Sequence, residues 1–589
     1  MIDDAALDPA ERRARDRRRL WFVVAATIVV AAYLFLWTLG TSPIIGDEAR
    51  HYRRAVNCFE SPWPDIRATH DTAYPAEGRG AVLYWDSCLW HLGLAVIWRV
   101  LGSPSMLAAQ LYHTAFLLIL GLFTYLCGRQ FWGHRGGLWA WALVLSIPMN
   151  LLFGMTFYME VPVMAFTAVA IYCLLRRRPV LMGLAMAAMF LIKATSSAVL
   201  IPPLLAVSLL VIGDSWRQRL LRTLLAAVVL VIALTPDLVW RQVHFGHLIM
   251  FRQQLGFATF YPSDIELDLI RMSSPDWAAV ALSIFDPKSV VRTFGVTGIV
   301  AVAAALVVSV AGLLRGTSDL LRRSLKEGLL AAWRHLPEAV PRPVLVLGVP
   351  MLCYMASYAV LLRGAYDVRY LQPITLFAGL LLAGGLSRLS LWLPKAIPGR
   401  LGTAAAVFLV LAVAGQFLAA PPVIASGQFL AVPVATECRR LPENIDQAFQ
   451  WIRENTPPSA RFLYLEENLT TLTGRPIFWT VAIPRYLFTT TEDKQVRLLT
   501  FVGIDYIAIH PTRRGPPADR NIEATCYPRD WVASLERRPY LTRLYPASLD
   551  GDGQGKFLIY RVDRDRMPPE WRSDTRIGEH GPEALKPGP

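Results

Sequence analysis

Long apolar segments without charge constrain the fold of this 589-residue chain more than any other feature. Residues 20–39, 107–127 and 296–314 contain no Asp, Glu, Lys or Arg. At 1.5 Å per residue, most such segments are long enough for a helix to cross a hydrocarbon core of roughly 30 Å. Hydrophobic residues make up 54% of the chain and charged residues only 18%, which excludes an ordinary soluble protein. We therefore expect a polytopic α-helical membrane protein.

The net charge of +14 comes from basic clusters at the ends of the apolar segments. Arginines gather before residue 20, at 176–178, at 217–222 and across 315–342. Cytoplasmic loops of membrane proteins carry this excess of Lys and Arg, so we assign these clusters to the cytoplasm. The distribution predicts about eleven transmembrane helices and argues against a nucleic-acid partner.

The alternation of cytoplasmic and external loops along the chain then divides it into regions. Residues 1–19 are predicted to be a cytoplasmic basic N-terminus, and residues 20–420 a transmembrane domain. Its large external loops are 40–104 and 240–294. No small-x-small cleavage site follows the first apolar segment, so that segment is expected to be a retained span.

One apolar segment must not span if this alternation holds. Ala81–Leu101 is apolar enough to cross, but it lies within an external loop that makes no net crossing. It also carries Asp86, His91 and Arg99, so we predict an amphipathic helix in the membrane interface. An ordinary span is the alternative, and it would place the basic cluster 129–135 outside.

The chain changes character after residue 420. Ile445, Ala448, Phe449 and Ile452 recur at helical spacing, and 491–502 is predicted to be a second helix that ends before Gly503. Residues 461–465, 506–509 and 557–562 are predicted strands. This alternation predicts a C-terminal extracytoplasmic α/β domain over 421–565. Residues 566–589 are polar and Pro-rich, which predicts a disordered tail.

The seven cysteines divide according to this topology. Cys127, Cys173 and Cys353 fall within predicted spans. The other four fall outside the membrane in an oxidising compartment, where they allow three pairings. Cys58 and Cys88 share the first external loop, and Cys438 and Cys526 share the C-terminal domain. This favours the disulfides Cys58–Cys88 and Cys438–Cys526.

Polar residues at membrane edges are the candidate functional residues, because placing charge there carries a solvation cost. The topology puts all of them on the extracytoplasmic side. They are Asp47 and Glu48 after the first span, Glu160, Lys193, and Arg369 with Tyr370, while His70 and Glu77 in the first external loop are weaker candidates. Solvated helix capping is the alternative role for Asp47 and Glu48, and snorkelling to the surface is the alternative for Lys193.

These side chains have the chemistry needed to displace a lipid phosphate from a sugar carbon. The carboxylates of Asp47 and Glu48 can deprotonate or orient an acceptor, or hold a divalent cation. Lys193 and Arg369 can bind a phosphate and stabilise it as it leaves. The sequence contains no His/Cys cluster at ligand spacing, so it leaves the metal unknown.

Short motifs in this order resemble the membrane glycosyltransferases of the C-type (GT-C) fold, over roughly residues 20–420. The resemblance is to the family that joins protein O-mannosyltransferases and the aminoarabinose transferase of lipid A. Asp47-Glu48 matches the family's acidic pair after the first span, and Glu160 stands where the family usually has Asp. Lys193 matches a Thr-Lys-Gly-like junction, and 369–373 matches the family's Arg-Tyr-x-x-Pro.

The resemblance also has a departure. The family often has a Pro-Pro-Leu-like stretch before its interfacial helix, whereas this chain has Glu77-Gly78-Arg79-Gly80 there. Glu77 therefore matches a family glutamate only loosely.

This resemblance implies an enzyme of the bacterial inner membrane that uses a polyprenyl-phosphate-linked sugar donor. It implies inversion at the anomeric carbon by a single displacement, with Asp47 as the base or the orienting carboxylate and Glu48 supporting it. A metal is an option, since some relatives use one. The acceptor, a glycan, lipid or protein, stays open. A lipid-linked glycan polymerase or ligase, a transporter and an envelope scaffold are the competing hypotheses; the absence of repeated halves disfavours the transporter.

Overall fold

A computed structural model provides the fold. Its described residues are 8–38, 47–60, 89–211, 215–245, 298–316, 318, 340–361, 371–396, 407, 411, 415, 445–464, 468–475, 477–478, 490–509, 514–515, 527–547 and 557–572. Residues 47–50 are described by their backbone alone.

Helices make up the amino-terminal and central parts of the chain. They are α1 Pro9–Thr38, α2 Asp47–Glu60, α3 Leu89–Leu101, α4 Met106–Ser146, α5 Pro148–Met155, α6 Glu160–Leu175, α7 Pro179–Ile192, α8 Ala194–Val211, α9 Trp216–Phe245, α10 Gly298–Gly316, α11 Val349–Leu361 and α12 Gln372–Ala396. A π-helical turn, Val344–Gly348, leads into α11.

Within the described residues, five helices are long and apolar enough to cross a membrane: α1, α4, α9, α10 and α12. Apolar side chains on their outer faces are exposed, including Trp21 (66%), Leu221 (68%) and Val307 (67%). Patches of this kind are unfavourable in water and favourable against lipid tails. The chain is therefore a multi-pass membrane protein, while the number of eleven spans stays a prediction.

Helix α4 is two antiparallel segments rather than one straight rod. Gly133 has φ +74°, outside the helical region, and interrupts it. A Cβ on Gly137 would lie only 2.8 Å from the backbone carbonyl oxygen of Tyr125. Those two residues would be about 18 Å apart along an unbroken helix. The glycines thus allow a tight hairpin, whose first arm contains the uncharged segment 107–127 and whose turn lies in the basic cluster 129–135.

An ion pair agrees with the predicted sidedness at this hairpin. Arg129, near the turn of α4, binds Asp16 of α1 at 2.6 Å. The sequence placed both residues on the cytoplasmic side, and the fold brings them together on one side of the bundle. The orientation of that side relative to the cell stays a prediction.

Helix α3 is the described part of the segment that was predicted not to span. Its 13 residues cover about 20 Å, less than the hydrocarbon core. It packs along α2, and Arg99 donates to the carbonyls of Cys58 and Phe59 at the end of α2 (3.3 and 3.2 Å). That the whole segment 81–101 lies in the membrane interface stays a prediction, since residues 81–88, with Asp86, lie outside the described residues.

The C-terminal part is an α/β fold around a five-stranded sheet. The strands are β1 Phe462–Leu463, β2 Ile477–Phe478, β3 Tyr506–Ile509, β6 Leu541–Tyr545 and β7 Leu558–Val562, with a separate pair β4 Arg514–Gly515 and β5 Tyr527–Pro528. Their order in the sheet is β2-β1-β3-β7-β6; β1 pairs in parallel with β2 and β3, and β7 pairs antiparallel with β3 and β6. The helices are α13 Ile445–Asn455, α14 Asn468–Thr473, α15 Glu492–Val502 and α16 Arg529–Leu535.

The predicted elements of this part match the fold closely. Helix α15 ends at Gly503, whose φ of +74° is the left-handed conformation that favours glycine at a helix C-terminus. The predicted tail begins too early, however. Residues 569–571 form a 3-10 turn, and Met567 (2% exposed) and Trp571 pack on the core of this part. Residues 573–589 lie outside the described part.

Helix α14 joins the two parts, because it packs against both α13 and α2. The guanidinium of Arg475 fixes it: Nη2 donates to the carbonyls of Arg453 (2.9 Å) and Thr456 (2.7 Å), and Nη1 to that of Thr473 (3.1 Å). One buried cation thus satisfies the C-terminal ends of α13 and α14, where helix dipoles favour positive charge. The C-terminal part is thereby braced against α2.

No disulfide occurs among the described residues. Cys58 is buried (2% exposed) where α2 packs on α3, so the predicted Cys58–Cys88 bridge is not confirmed. Cys88, Cys438 and Cys526 lie outside the described part. Cys127 and Cys173 are buried in α4 and α6, and Cys353 lies in α11, as predicted.

Candidate active site

Glu160 and Lys193 meet because α6 and α7 form a helical hairpin. Glu160 is the first residue of α6, and Lys193 is the extended residue (φ −149°, ψ 98°) that ends α7 before α8 begins. In an antiparallel hairpin, the start of the first helix and the end of the second lie at the same membrane edge. The Lys193 Nζ atom donates to Glu160 Oε1 at 2.5 Å.

This ion pair is buried within the bundle. Glu160 is 2% exposed and Lys193 8% exposed. The second carboxylate oxygen of Glu160, Oε2, has no hydrogen-bond partner among the described residues. Burying two charges seldom stabilises a fold, because the desolvation penalty offsets their attraction. A buried pair with an unused acceptor at a membrane edge therefore indicates a functional site.

A second group of polar side chains lies at the junction of α2, α3 and α4. We call it the imidazole–indole cluster: His51, Trp90, His91 and His113, none of them more than 3% exposed. His51 Nδ1 and His91 Nε2 are 3.0 Å apart and share one hydrogen bond. Trp90 contacts all the imidazoles, with ring centroids 5.4–6.3 Å away.

Phe157 connects the imidazole–indole cluster to the ion pair. Its ring lies 5.7 Å from Trp90 and 5.8 Å from His113, and it precedes Glu160 by three residues. On the other side, Tyr52 of α2 stacks on Phe157 at 6.3 Å, and burial raises the pKa of the Tyr52 hydroxyl. Phe157 thus links the cluster to the turn that leads into Glu160.

Asp47 and Glu48 are the first two residues of α2, and their side chains lie outside the described part. Position 47 precedes His51 by one helical turn, so the two positions share a face of α2. The positive end of the helix dipole favours carboxylates in this first turn. The backbone thus brings the acidic pair to the same end of the bundle as the cluster.

A buried amide network fixes the start of α12, directly after the Arg-Tyr motif. Gln372 Nε2 donates to Asn150 Oδ1 (3.0 Å), and Asn150 Nδ2 donates to Thr375 Oγ1 (3.1 Å) and to the Val144 carbonyl (2.7 Å). Asn150, Gln372 and Thr375 are fully buried. The network ties α12 to the break between α4 and α5, close in sequence to Glu160.

The structure thus unites some predicted residues and leaves others outside its described part. Glu160 and Lys193 are in direct contact, and Asp47 and Glu48 begin the neighbouring helix. His70, Glu77, Arg369 and Tyr370 lie outside the described residues, so their roles stay predictions. The sequence prediction missed His51, Trp90 and His113, and noted His91 only as a polar residue of α3.

The metal prediction stays open. Within the described residues, no three His, Cys, Asp or Glu side chains come together in a way that suits a metal ion. The side chains of Asp47 and Glu48, which the sequence put forward as cation ligands, are not among those residues.

Comparison with solved structures identifies the fold. ArnT from Cupriavidus metallidurans in the apo state has a TM-score of 0.53 at 14% identity, covering 93% of this chain and 99% of ArnT. The same protein bound to undecaprenyl phosphate has a TM-score of 0.54. The archaeal oligosaccharyltransferase AglB from Archaeoglobus fulgidus, in complex with an inhibitory peptide and a dolichol-phosphate, has a TM-score of 0.50 at 12% identity, over 83% of this chain and 69% of AglB.

These likenesses confirm the GT-C fold predicted from the sequence resemblance. No protein-family model matches the chain, and no curated protein matches it in sequence.

Proposed function

We propose that this chain is a glycosyltransferase that moves a sugar from a polyprenyl-phosphate donor to an acceptor outside the bacterial inner membrane. The observation that carries the proposal is the buried Glu160–Lys193 pair, in a chain that has the ArnT fold and whose helix α2 begins with Asp47 and Glu48. ArnT has been solved with undecaprenyl phosphate and AglB with a dolichol-phosphate, both lipid phosphates. A lipid phosphate is therefore the donor class we assign.

In this mechanism Lys193 binds the donor phosphate, together with Arg369 and Tyr370. Glu160 accepts a hydrogen bond from Lys193 and so orients the ammonium group before the donor arrives. As the bond between the anomeric carbon and the phosphate oxygen breaks, the phosphate gains negative charge. A fixed cation at that point stabilises the transition state more than the ground state.

Asp47 activates or orients the acceptor, with Glu48 in support. The acceptor oxygen attacks the anomeric carbon from the face opposite the phosphate, and its proton passes to the Asp47 carboxylate. One C–O bond forms and one breaks, so the configuration inverts in a single displacement. A divalent metal at the carboxylates would be a further aid to this step, and the acceptor is a glycan, lipid or protein.

The test is Asp47→Asn, which keeps the side-chain shape and removes the basic charge. We expect a folded variant that still binds undecaprenyl phosphate but turns over about 10²–10⁴-fold more slowly, because a general base is lost. Asp16→Asn is the matched control, since that carboxylate pairs with Arg129 away from the site. Donor binding, thermal stability and turnover are measured on one preparation. Normal turnover by well-folded Asp47→Asn contradicts the mechanism.

A further inference from the structure

Two buried polar atoms in the imidazole–indole cluster have no hydrogen-bond partner among the described residues. They are Trp90 Nε1 and His113 Nδ1. Trp90 is 0% exposed and His113 1% exposed. A buried polar atom without a partner is unfavourable by about 1–3 kcal/mol. Two of them on neighbouring rings indicate that a group outside the described residues completes their bonding.

The chemistry of that missing partner follows from the other nitrogen of His113. Its Nε2 lies 2.7 Å from the carbonyl oxygen of Phe153, and a carbonyl only accepts. Nε2 therefore carries the proton, and Nδ1 of the neutral ring offers a lone pair. The Trp90 indole N–H can only donate. The two rings present one donor and one acceptor with centroids 5.9 Å apart.

A hydroxyl group supplies both functions that the two atoms require. Its oxygen accepts from Trp90 Nε1, and its hydrogen is donated to His113 Nδ1. Aromatic rings surround the position: Phe157 contacts both residues, and Tyr112 lies 5.7 Å from Trp90. Rings of this kind pack against the C–H faces of a sugar while polar atoms bind its hydroxyls.

The location fits the sugar of the proposed donor. Phe157, which contacts Trp90 and His113, precedes Glu160 by three residues, and His51 of the same cluster follows Asp47 by one helical turn. With the phosphate at Lys193 and the acceptor at Asp47, the sugar must lie between them. Glu160 Oε2, also unpartnered among the described residues, is a further acceptor on this path.

We propose that Trp90 and His113 form a subsite that binds one hydroxyl of the donor sugar. This inference rests on the proposed function, because it places a sugar between the phosphate and acceptor positions. An ordered water has the same donor and acceptor groups and is the other source of a hydroxyl oxygen. A site that hydrogen-bonds a substrate hydroxyl discriminates strongly among substrates, whereas a structural water does not.

The experiment compares two conservative variants on lipids with and without a sugar. Trp90→Phe removes the N–H together with part of the ring volume, and the control below loses the same volume. His113→Gln keeps a donor for the Phe153 carbonyl and removes the acceptor from the Nδ1 position. Trp98→Phe is the matched control: Trp98 is equally buried in α3, but its N–H already donates to the Ser105 carbonyl at 3.0 Å. The probes are undecaprenyl phosphate and its conjugates with mannose, arabinofuranose and 4-amino-4-deoxyarabinose.

We expect the best-bound sugar conjugate to lose about 3- to 10-fold in affinity in each site variant, the value of one neutral hydrogen bond. Affinity for undecaprenyl phosphate should stay within about twofold, and Trp98→Phe should bind every probe like the wild type. If Trp90→Phe does not fold, His113→Gln decides alone.

Three results overturn the inference. Unchanged sugar-conjugate affinity with lower thermal stability shows an ordered water only. A parallel loss for undecaprenyl phosphate shows a general disturbance of the site. A wild type that binds no conjugate better than undecaprenyl phosphate recognises no sugar there. Failure of the proposed function is distinct from these, because the wild type would then not bind undecaprenyl phosphate at all.

Discussion

The Glu160–Lys193 pair allows a structural role and a phosphate-binding role to be separated in one set of variants. The set is Lys193→Met, Glu160→Gln and the double variant, all close in volume to the native side chains. Removing one member of a buried pair leaves an uncompensated charge and destabilises by about 3–5 kcal/mol. Replacing both members is nearly neutral, since no charge stays buried. The short Nζ–Oε1 contact and the burial of both groups place this pair in that class.

Affinity for undecaprenyl phosphate should follow a different order from stability. Lys193→Met and the double variant should each bind about 10- to 100-fold more weakly, because a charge-assisted hydrogen bond to phosphate is lost. Glu160→Gln keeps the ammonium group and should bind within a few-fold of the wild type. The double variant therefore combines near-native stability with poor binding.

Both quantities are measured on the same detergent-purified protein, stability by the thermal unfolding midpoint and affinity by titration with undecaprenyl phosphate. The double-mutant cycle gives the coupling between the two side chains. Affinity that tracks stability across the variants, weak in both single variants and restored in the double, would refute a phosphate-binding role for Lys193. The pair would then be a structural clamp between α6 and α7.

Two further predictions concern sidedness and the C-terminal part. A single cysteine at Ser318, in the predicted cytoplasmic segment, should resist an impermeant thiol reagent in intact cells, whereas one at exposed Glu454 of α13 should react; labelling at Ser318 contradicts the topology. Arg475→Leu should destabilise the protein by about 2–4 kcal/mol in thermal or denaturant unfolding, because several buried carbonyls lose their donor. Arg543→Leu, which breaks a more exposed pair with Glu536, should cost about 1 kcal/mol or less. Equal losses of stability in the two variants would refute the proposed role of Arg475 in holding α13 and α14 together.

Much of the fold follows from charge and hydrophobic period alone. Charged clusters alternate with apolar segments of membrane length, and this alternation predicts both the helices and the turns between them. It also predicted that the α4 region turns back on itself, because the basic residues around Arg129 cannot lie in the hydrocarbon core. The hairpin at Gly133 then follows from glycines that let two backbones approach closely.

The candidate site was predictable only where it uses charge. Glu160 and Lys193 stand out in the sequence because they interrupt apolar segments, and the topology places them on one side. His113 and Trp90 do not stand out, since a lone imidazole or indole in an apolar helix usually belongs to the core. Their importance depends on the packing of α2, α3 and α4, which joins residues 22 to 62 positions apart along the chain. The available signal was the concentration of His and Trp at 51, 90, 91 and 113.

The amide network at the start of α12 explains part of a motif whose letters alone suggest only ligand binding. In Arg369-Tyr370-Leu371-Gln372-Pro373, the proline is the second residue of α12, where its fixed φ and missing N–H suit the first turn. Gln372 is held by Asn150 within a fully buried network, which fixes the position of the start of α12 relative to α5. Residues 369 and 370 immediately precede that anchor. In the proposed mechanism, Gln372 therefore serves the donor phosphate by fixing the start of α12 next to residues 369 and 370 rather than by contact.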